Sequence, residues 1–213
     1  MDTQYRTIGR EAADEFVERR SRFIGYIRPV TTEADAQAFI AEKKKQHWDA
    51  THNVSAYVLR EGQIRRYSDD GEPQGTAGQP MLNVFQRQGV VNVCCVVTRY
   101  FGGILLGAGG LTRAYTKGAR DALDAAGITR MSQWILWNVE CTYSLFERIK
   151  LEIAACKGVV RDAEYGADIL LRAAFPAGGA ETFQPRLTEL SAGQLTMIEA
   201  GEEFLPGERE EAK

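Results

Sequence analysis

With 213 residues, 44% of them hydrophobic and 26% charged, the chain can bury one large or two small cores without a disulfide or metal staple. No apolar run approaches a bilayer span and the N-terminus lacks the apolar stretch of a leader, so a cytoplasmic protein with no membrane contact is expected. The net charge of −3 divides unevenly, with a small basic excess over residues 1–130 and an acidic one beyond, so any polyanion is expected on the first half.

In chain order, Arg22 to Val30 reads as a strand. Thr32 is a plausible N-cap for a helix that carries Ala38, Phe39 and Ile40 and ends in Lys43-Lys44-Lys45, where cations suit the helix dipole. Val54 to Leu59 and Gln63 to Tyr67 form a hairpin pattern around Glu61-Gly62. Residues 69–80, rich in Asp, Gly and Pro, are irregular, and a short helix follows from about Met81 to Gln88. Val90 to Val97 is apolar at nearly every position, which predicts a central strand covered on both faces. Leu111, Ala114, Tyr115, Ala119, Ala122, Leu123 and Ala126 then make a helical stripe closed by Gly127, with small residues that permit close packing. Thr129-Arg130-Met131-Ser132 reads as a connector. Beyond it the order is strand (Trp134 to Thr142), helix (Leu145 to Cys156), strand (Val159 to Tyr165), strand (Asp168 to Phe175), helix (Gly178 to Leu190) and strand (Leu195 to Phe204), a ferredoxin-like βαββαβ pattern. The expected division is 1–130, 134–205 and a disordered acidic tail over 206–213.

The densest signal lies between the central strand and the long helix, where Gly102, Gly103, Gly107, Gly109 and Gly110 crowd together. Glycine bares backbone N–H groups and tolerates positive φ, so a strand, glycine loop and helix start in succession suits an anion. Arg99 before the loop and Arg113 and Lys117 within the helix add cations. Close helix-on-strand packing also demands glycine, and both readings stand. Neither a Walker A nor a G-x-G-x-x-G spacing is present.

Four cysteines, Cys94, Cys95, Cys141 and Cys156, show no CxxC spacing and read as buried reduced thiols. Asp69, Asp70 and Glu72 are oxygen ligands of the kind Mg²⁺ accepts, but Asp, Gly and Pro also build turns. His52, just before a strand, is either a general base or an orienting side chain. Neither cofactor nor metal is expected.

The run Thr98-Arg99-Tyr100-Phe101-Gly102-Gly103-Ile104-Leu105-Leu106-Gly107, continuing through Gly109-Gly110-Leu111-Thr112-Arg113-Ala114-Tyr115, resembles the signature of the YigZ/IMPACT family. A second block, Tyr67-Ser68-Asp69-Asp70-Gly71-Glu72-Pro73-Gln74-Gly75-Thr76-Ala77-Gly78-Gln79-Pro80, is similar to the family's other long motif. The resemblance implies an α+β chain: an N-terminal domain of the ribosomal-protein second-domain type, then a ferredoxin-like domain. It also implies a role near translation, because eukaryotic members regulate initiation through a further N-terminal domain. That partner is not carried over. Val54 stands where relatives often have cysteine, which argues against a Cys/His nucleophile.

Two functions follow as expectations. The first is an RNA- or ribosome-binding protein gripping phosphates through Arg99, Gly102, Gly103, Gly107, Gly109, Gly110, Arg113 and Lys117, with His52, Asp69, Asp70 and Glu72 as auxiliaries. The second is a phosphate-ligand enzyme, a phosphotransferase or hydrolase, using the same loop with the Asp69/Asp70/His52 region. A deep pocket with convergent acids favours the enzyme, and an open basic face favours nucleic acid.

Overall fold

In a computed structural model, which describes residues 3–210, the first half of the chain runs β1 (Gln4–Ile8), β2 (Ala12–Glu18), β3 (Ser21–Pro29), α1 (Glu33–Gln46), β4 (His52–Val58), β5 (Arg65–Ser68), α2 (Gly78–Gln88), β6 (Val93–Tyr100) and α3 (Gly107–Ala126). The second half runs β7 (Ile128–Cys141), α4 (Tyr143–Ala155), β8 (Val159–Tyr165), β9 (Ile169–Pro176), α5 (Gly179–Leu190) and β10 (Met197–Glu210). This is a mixed α+β architecture with two sheets and, among the described residues, five α-helices. Among the described residues no helix is long and apolar enough to cross a membrane. The chain divides into two units, one built on Tyr5–Arg130 and one on Met131–Pro206, with Gln4 counted with the second and Gly207 with the first.

The first unit is organised by an antiparallel sheet in the order β2-β3-β6-β4-β5. β6 is apolar on both faces because both are covered. Val93, Cys95 and Val97 face the core made with α2 and α3, while Cys94 and Val96 face Ala36, Phe39 and Ile40 of α1. Thr32 caps α1 in a capping box: its hydroxyl accepts from the Asp35 N–H, and the Asp35 carboxylate accepts from the Thr32 N–H. α3 lies close to the sheet because small residues meet there. A Cβ on Gly25 of β3 would come within 2.5 Å of the Gly118 carbonyl oxygen.

In the second unit β8 pairs with β9, β9 with β7, and β7 with β10, and the β8–β9 and β7–β9 pairs are antiparallel. Val139, Cys141, Ile149, Ile153, Ile169, Leu171, Phe175, Phe183 and Leu187 form its core between sheet and helices. Trp137, half-buried, packs against this core.

Several boundaries differ from expectation. β7 runs without interruption through Thr129–Ser132, so the expected connector is strand. β1 and β2 precede the first predicted strand; β2 carries acids on both faces and offers no clean alternation. β10 continues to Glu210, past residue 206 where a disordered tail was expected; residues 211–213 of that tail lie outside the described residues. α3 opens at Gly107 instead of near Leu111, which places Gly107, Gly109 and Gly110 inside its first turn.

Candidate anion-binding site at the start of α3

β6 leaves the sheet at Tyr100, and the loop Phe101–Leu106 delivers the chain to Gly107. Leu106 stands in the N-cap position with helical φ and ψ and has no side-chain acceptor to offer, so the opening turn of α3 lacks a cap. Gly107, Ala108 and Gly109 are exposed. These N–H groups carry the positive end of the helix dipole.

The five glycines serve different ends. A Cβ on Gly102 would lie 2.0 Å from the carbonyl of Arg20, so that glycine is required by the close approach of two backbones. Gly103 and Gly107 sit at φ +83° and +71°, where side chains are disfavoured. A Cβ on Gly110 would press on Leu106 at 3.0 Å. Gly109 has neither need: it is helical, and a Cβ there would meet only the Arg113 guanidinium at 3.6 Å. Packing therefore accounts for some of the glycines and leaves Gly109 as a residue whose effect is to bare the backbone.

The close approach at Gly102 brings in two cations that sequence reading missed. Glu18 pairs with Ser21 across the β2–β3 hairpin, so Arg19 and Arg20 are its two turn residues. They adopt φ +45° and +65°, the sign a type I′ turn needs and one that Asn-Gly adopts with less strain. Both are exposed, and Arg19 Nη1 donates to the Leu105 carbonyl at 3.4 Å. Arg113 is exposed one turn into α3. Lys117 is exposed too, but it pairs with Asp121 and lies over the Phe16 ring at 4.7 Å.

Arg99 faces inward. It is 5% exposed, and its Nη1 donates to Glu72 Oε1 at 2.7 Å. The same oxygen accepts from the Tyr115 hydroxyl at 2.7 Å, and burial with the neighbouring carboxylate pushes the Tyr115 phenol well above its ordinary pKa. Ser21 Oγ accepts from the Gly102 N–H at 3.2 Å and from Arg99 Nη2 at 3.5 Å, tying this network to the loop. Arg99 thus supports the loop from beneath and does not present its guanidinium beside Arg113.

The second motif block is similarly committed to structure. Asp69 accepts from the N–H groups of Gly75, Ala77 and Gly78 at 2.8, 3.2 and 2.8 Å, which closes the 69–77 loop and caps α2 from outside. Asp70 accepts from the Asn53 N–H and from Lys44 Nζ, each at 2.6 Å. His52 Nδ1 donates to the Asp70 carbonyl at 2.8 Å, leaving Nε2 3.7 Å from Glu72 Oε2. These carboxylates hold the loop and do not converge on an open cleft. Among the described residues no group of three His, Cys, Asp or Glu side chains is arranged to hold a metal ion.

The chain is a two-unit α+β protein whose glycine-opened helix stands over a buried Arg–Glu–Tyr network. The family model for the Impact N-terminal domain matches residues 19–123, and that for the domain of unknown function DUF1949 matches residues 139–194. The IMPACT family member YvyE of Bacillus subtilis is 39% identical over 196 residues, covering 92% of this chain and 90% of the relative. YigZ of Escherichia coli is 36% identical over 183 residues, covering 84% and 90%. A crystal structure described as that of a hypothetical protein superposes with a TM-score of 0.62 at 33% identity, over 93% of this chain and 98% of the other. The chain belongs to the IMPACT family.

Proposed function

We propose that this chain is a cytoplasmic RNA- or ribosome-binding protein acting in the regulation of translation, and that its first unit grips phosphates at the start of α3. The observation that carries the reading is the uncapped, exposed opening turn Gly107–Gly109, flanked by Arg19, Arg20 and Arg113. Two non-glycine residues held at positive φ cost of order 1–3 kcal/mol each, and one of them, Arg19, reaches the loop by donating to the Leu105 carbonyl. The openness of the surface and the occupation of Asp69 and Asp70 by backbone and lysine donors favour a binding face over a phosphotransfer or hydrolytic centre. The fold assignments belong to the same proposal: the strand sequence β8-β9-β7-β10 supports a ferredoxin-like second unit, and the first unit fits the ribosomal-protein second-domain type.

Fluorescence anisotropy with a labelled single-stranded RNA of mixed sequence tests the reading. Binding should depend weakly on sequence and strongly on salt, because amides and arginines meet phosphates that carry no base identity. For three to four neutralised phosphates, log K should fall against log[salt] with a slope of roughly −2 to −3. Salt-independent binding, or affinity unchanged when Arg19, Arg20 and Arg113 are replaced together by Ala, would overturn it in favour of a small phosphate ligand.

A further inference from the structure

α2 and α3 pack side by side on the sheet of the first unit, and their outer edges enclose an open groove. It is lined by Pro80, Asn83, Val84, Arg87 and Gln88 of α2 and by Thr112, Thr116 and Arg120 of α3. The chemistry of this lining is one-sided: two arginines, two hydroxyls and two carboxamides, with no carboxylate. Asn83 Oδ1 accepts from Gln79 Nε2 at 2.9 Å, an arrangement that turns the carboxamide acceptor away to a neighbour and leaves its NH₂ as the available group.

The arginines of the groove lack the ion pairs that several others make. Arg22, Arg28, Arg99, Arg161, Arg172 and Arg186 each sit against a carboxylate. Arg87, Arg113 and Arg120 are exposed, and none sits within ion-pair distance of an acid among the described residues. Arg87 and Arg120 are thus left to face the groove with their charges uncompensated by an acid. Arg113 lines an adjoining depression on α3 with Thr112, Thr116, Arg120 and the mutually paired Lys117 and Asp121, and its guanidinium lies 3.6 Å from where a Cβ on Gly109 would stand, which links the groove to the uncapped helix start. From Arg113 to Arg120 the helix advances about 10 Å.

We propose that the α2–α3 groove is the track of an RNA strand: its backbone enters at Gly107–Gly109 and runs past Arg113 to Arg87 and Arg120, which each neutralise a phosphate. This rests on the RNA reading of the α3 start and extends it by naming the path and two contacts. Thr112, Thr116 and Asn83 supply neutral donors to the same backbone, and the lining contains no aromatic ring, so the track holds phosphates without stacking bases.

The test compares wild-type protein, Arg87→Ala/Arg120→Ala, and Arg65→Ala/Arg66→Ala, which removes two exposed arginines from β5 of the same unit. Each is titrated with the labelled single-stranded RNA from low to moderate salt, with thermal melts to show that all three fold. Two lost single-strand phosphate contacts should reduce the salt slope by about 1.4 and weaken binding about 25-fold near 0.1 M salt, while the β5 variant stays near wild type. If wild type binds and the groove variant matches the β5 variant, the track is wrong and the site ends at the α3 start. If wild type shows no salt-dependent RNA binding, the track falls together with the reading beneath it.

Discussion

Arg99 and Glu72 face each other at 2.7 Å, with side chains only 6% and 3% exposed, although they lie 27 positions apart in sequence and belong to separate motif blocks. The pair joins the loop before α2 to the strand before α3, and Tyr115 closes it from the helix. Removing one partner of a buried pair strands the other's charge, at a cost of about 3–5 kcal/mol. Arg99→Ala should therefore lower the melting temperature sharply, and Arg99→Met combined with Glu72→Met should recover much of it. An Arg99→Ala protein that melts like wild type but has lost RNA binding would reverse this assignment and make Arg99 a ligand group.

The glycines separate by substitution. Gly102→Ala drives a methyl group into the Arg20 backbone and should destabilise the fold by about 1–3 kcal/mol or more. Gly109→Ala meets open space and a flexible guanidinium, so its stability should be unchanged or raised by up to about 1 kcal/mol, as helix propensity favours Ala. Denaturant titration of the two variants reads this directly. A Gly109→Ala protein as unstable as Gly102→Ala would show that packing, not an exposed backbone, dictates that glycine.

His47 hydrogen-bonds to the hydroxyls of Tyr26 and Tyr100 at 2.7 and 2.9 Å, and burial holds its pKa below the ordinary histidine value. The unfolded chain, with histidine near 6.5, then takes up the proton more readily than the folded one. The contribution is fully present above pH 6.5 and is lost as pH falls through that value toward the folded pKa. Melting temperatures followed from pH 7.5 to 5.5 should fall more steeply for wild type than for His47→Gln. Parallel declines would remove His47 as the cause.

Burial pushes the Cys94 thiol up to about 12 and the Cys95 thiol well above its usual range. Both should resist a thiol reagent in the native protein and react only on unfolding, since the thiolate is the reactive form. Rapid native labelling of either would mean that β6 opens far more readily than a doubly covered central strand should.

Much of the architecture was legible in the sequence because local signals agree with the fold there. The unbroken apolar run of β6 announced a strand covered on both faces, Thr32 announced a helix start, and the order of strand and helix patterns beyond Trp134 announced the second unit element by element. Motif wording carried the family. Tertiary structure alone decided where the cations point. Arg99 reads as a loop cation in sequence and turns inward because Glu72 and Tyr115 arrive from elsewhere in the chain to satisfy it. Arg19 and Arg20 carry no turn signal, and only the pairing of β2 with β3 forces them to positive φ beside the glycines. Arg87 and Arg120 sit 33 positions apart and become neighbours because α2 packs on α3. Periodicity and turn chemistry act over a few residues and can be read locally, whereas the charge on a surface depends on which distant acids fold against it.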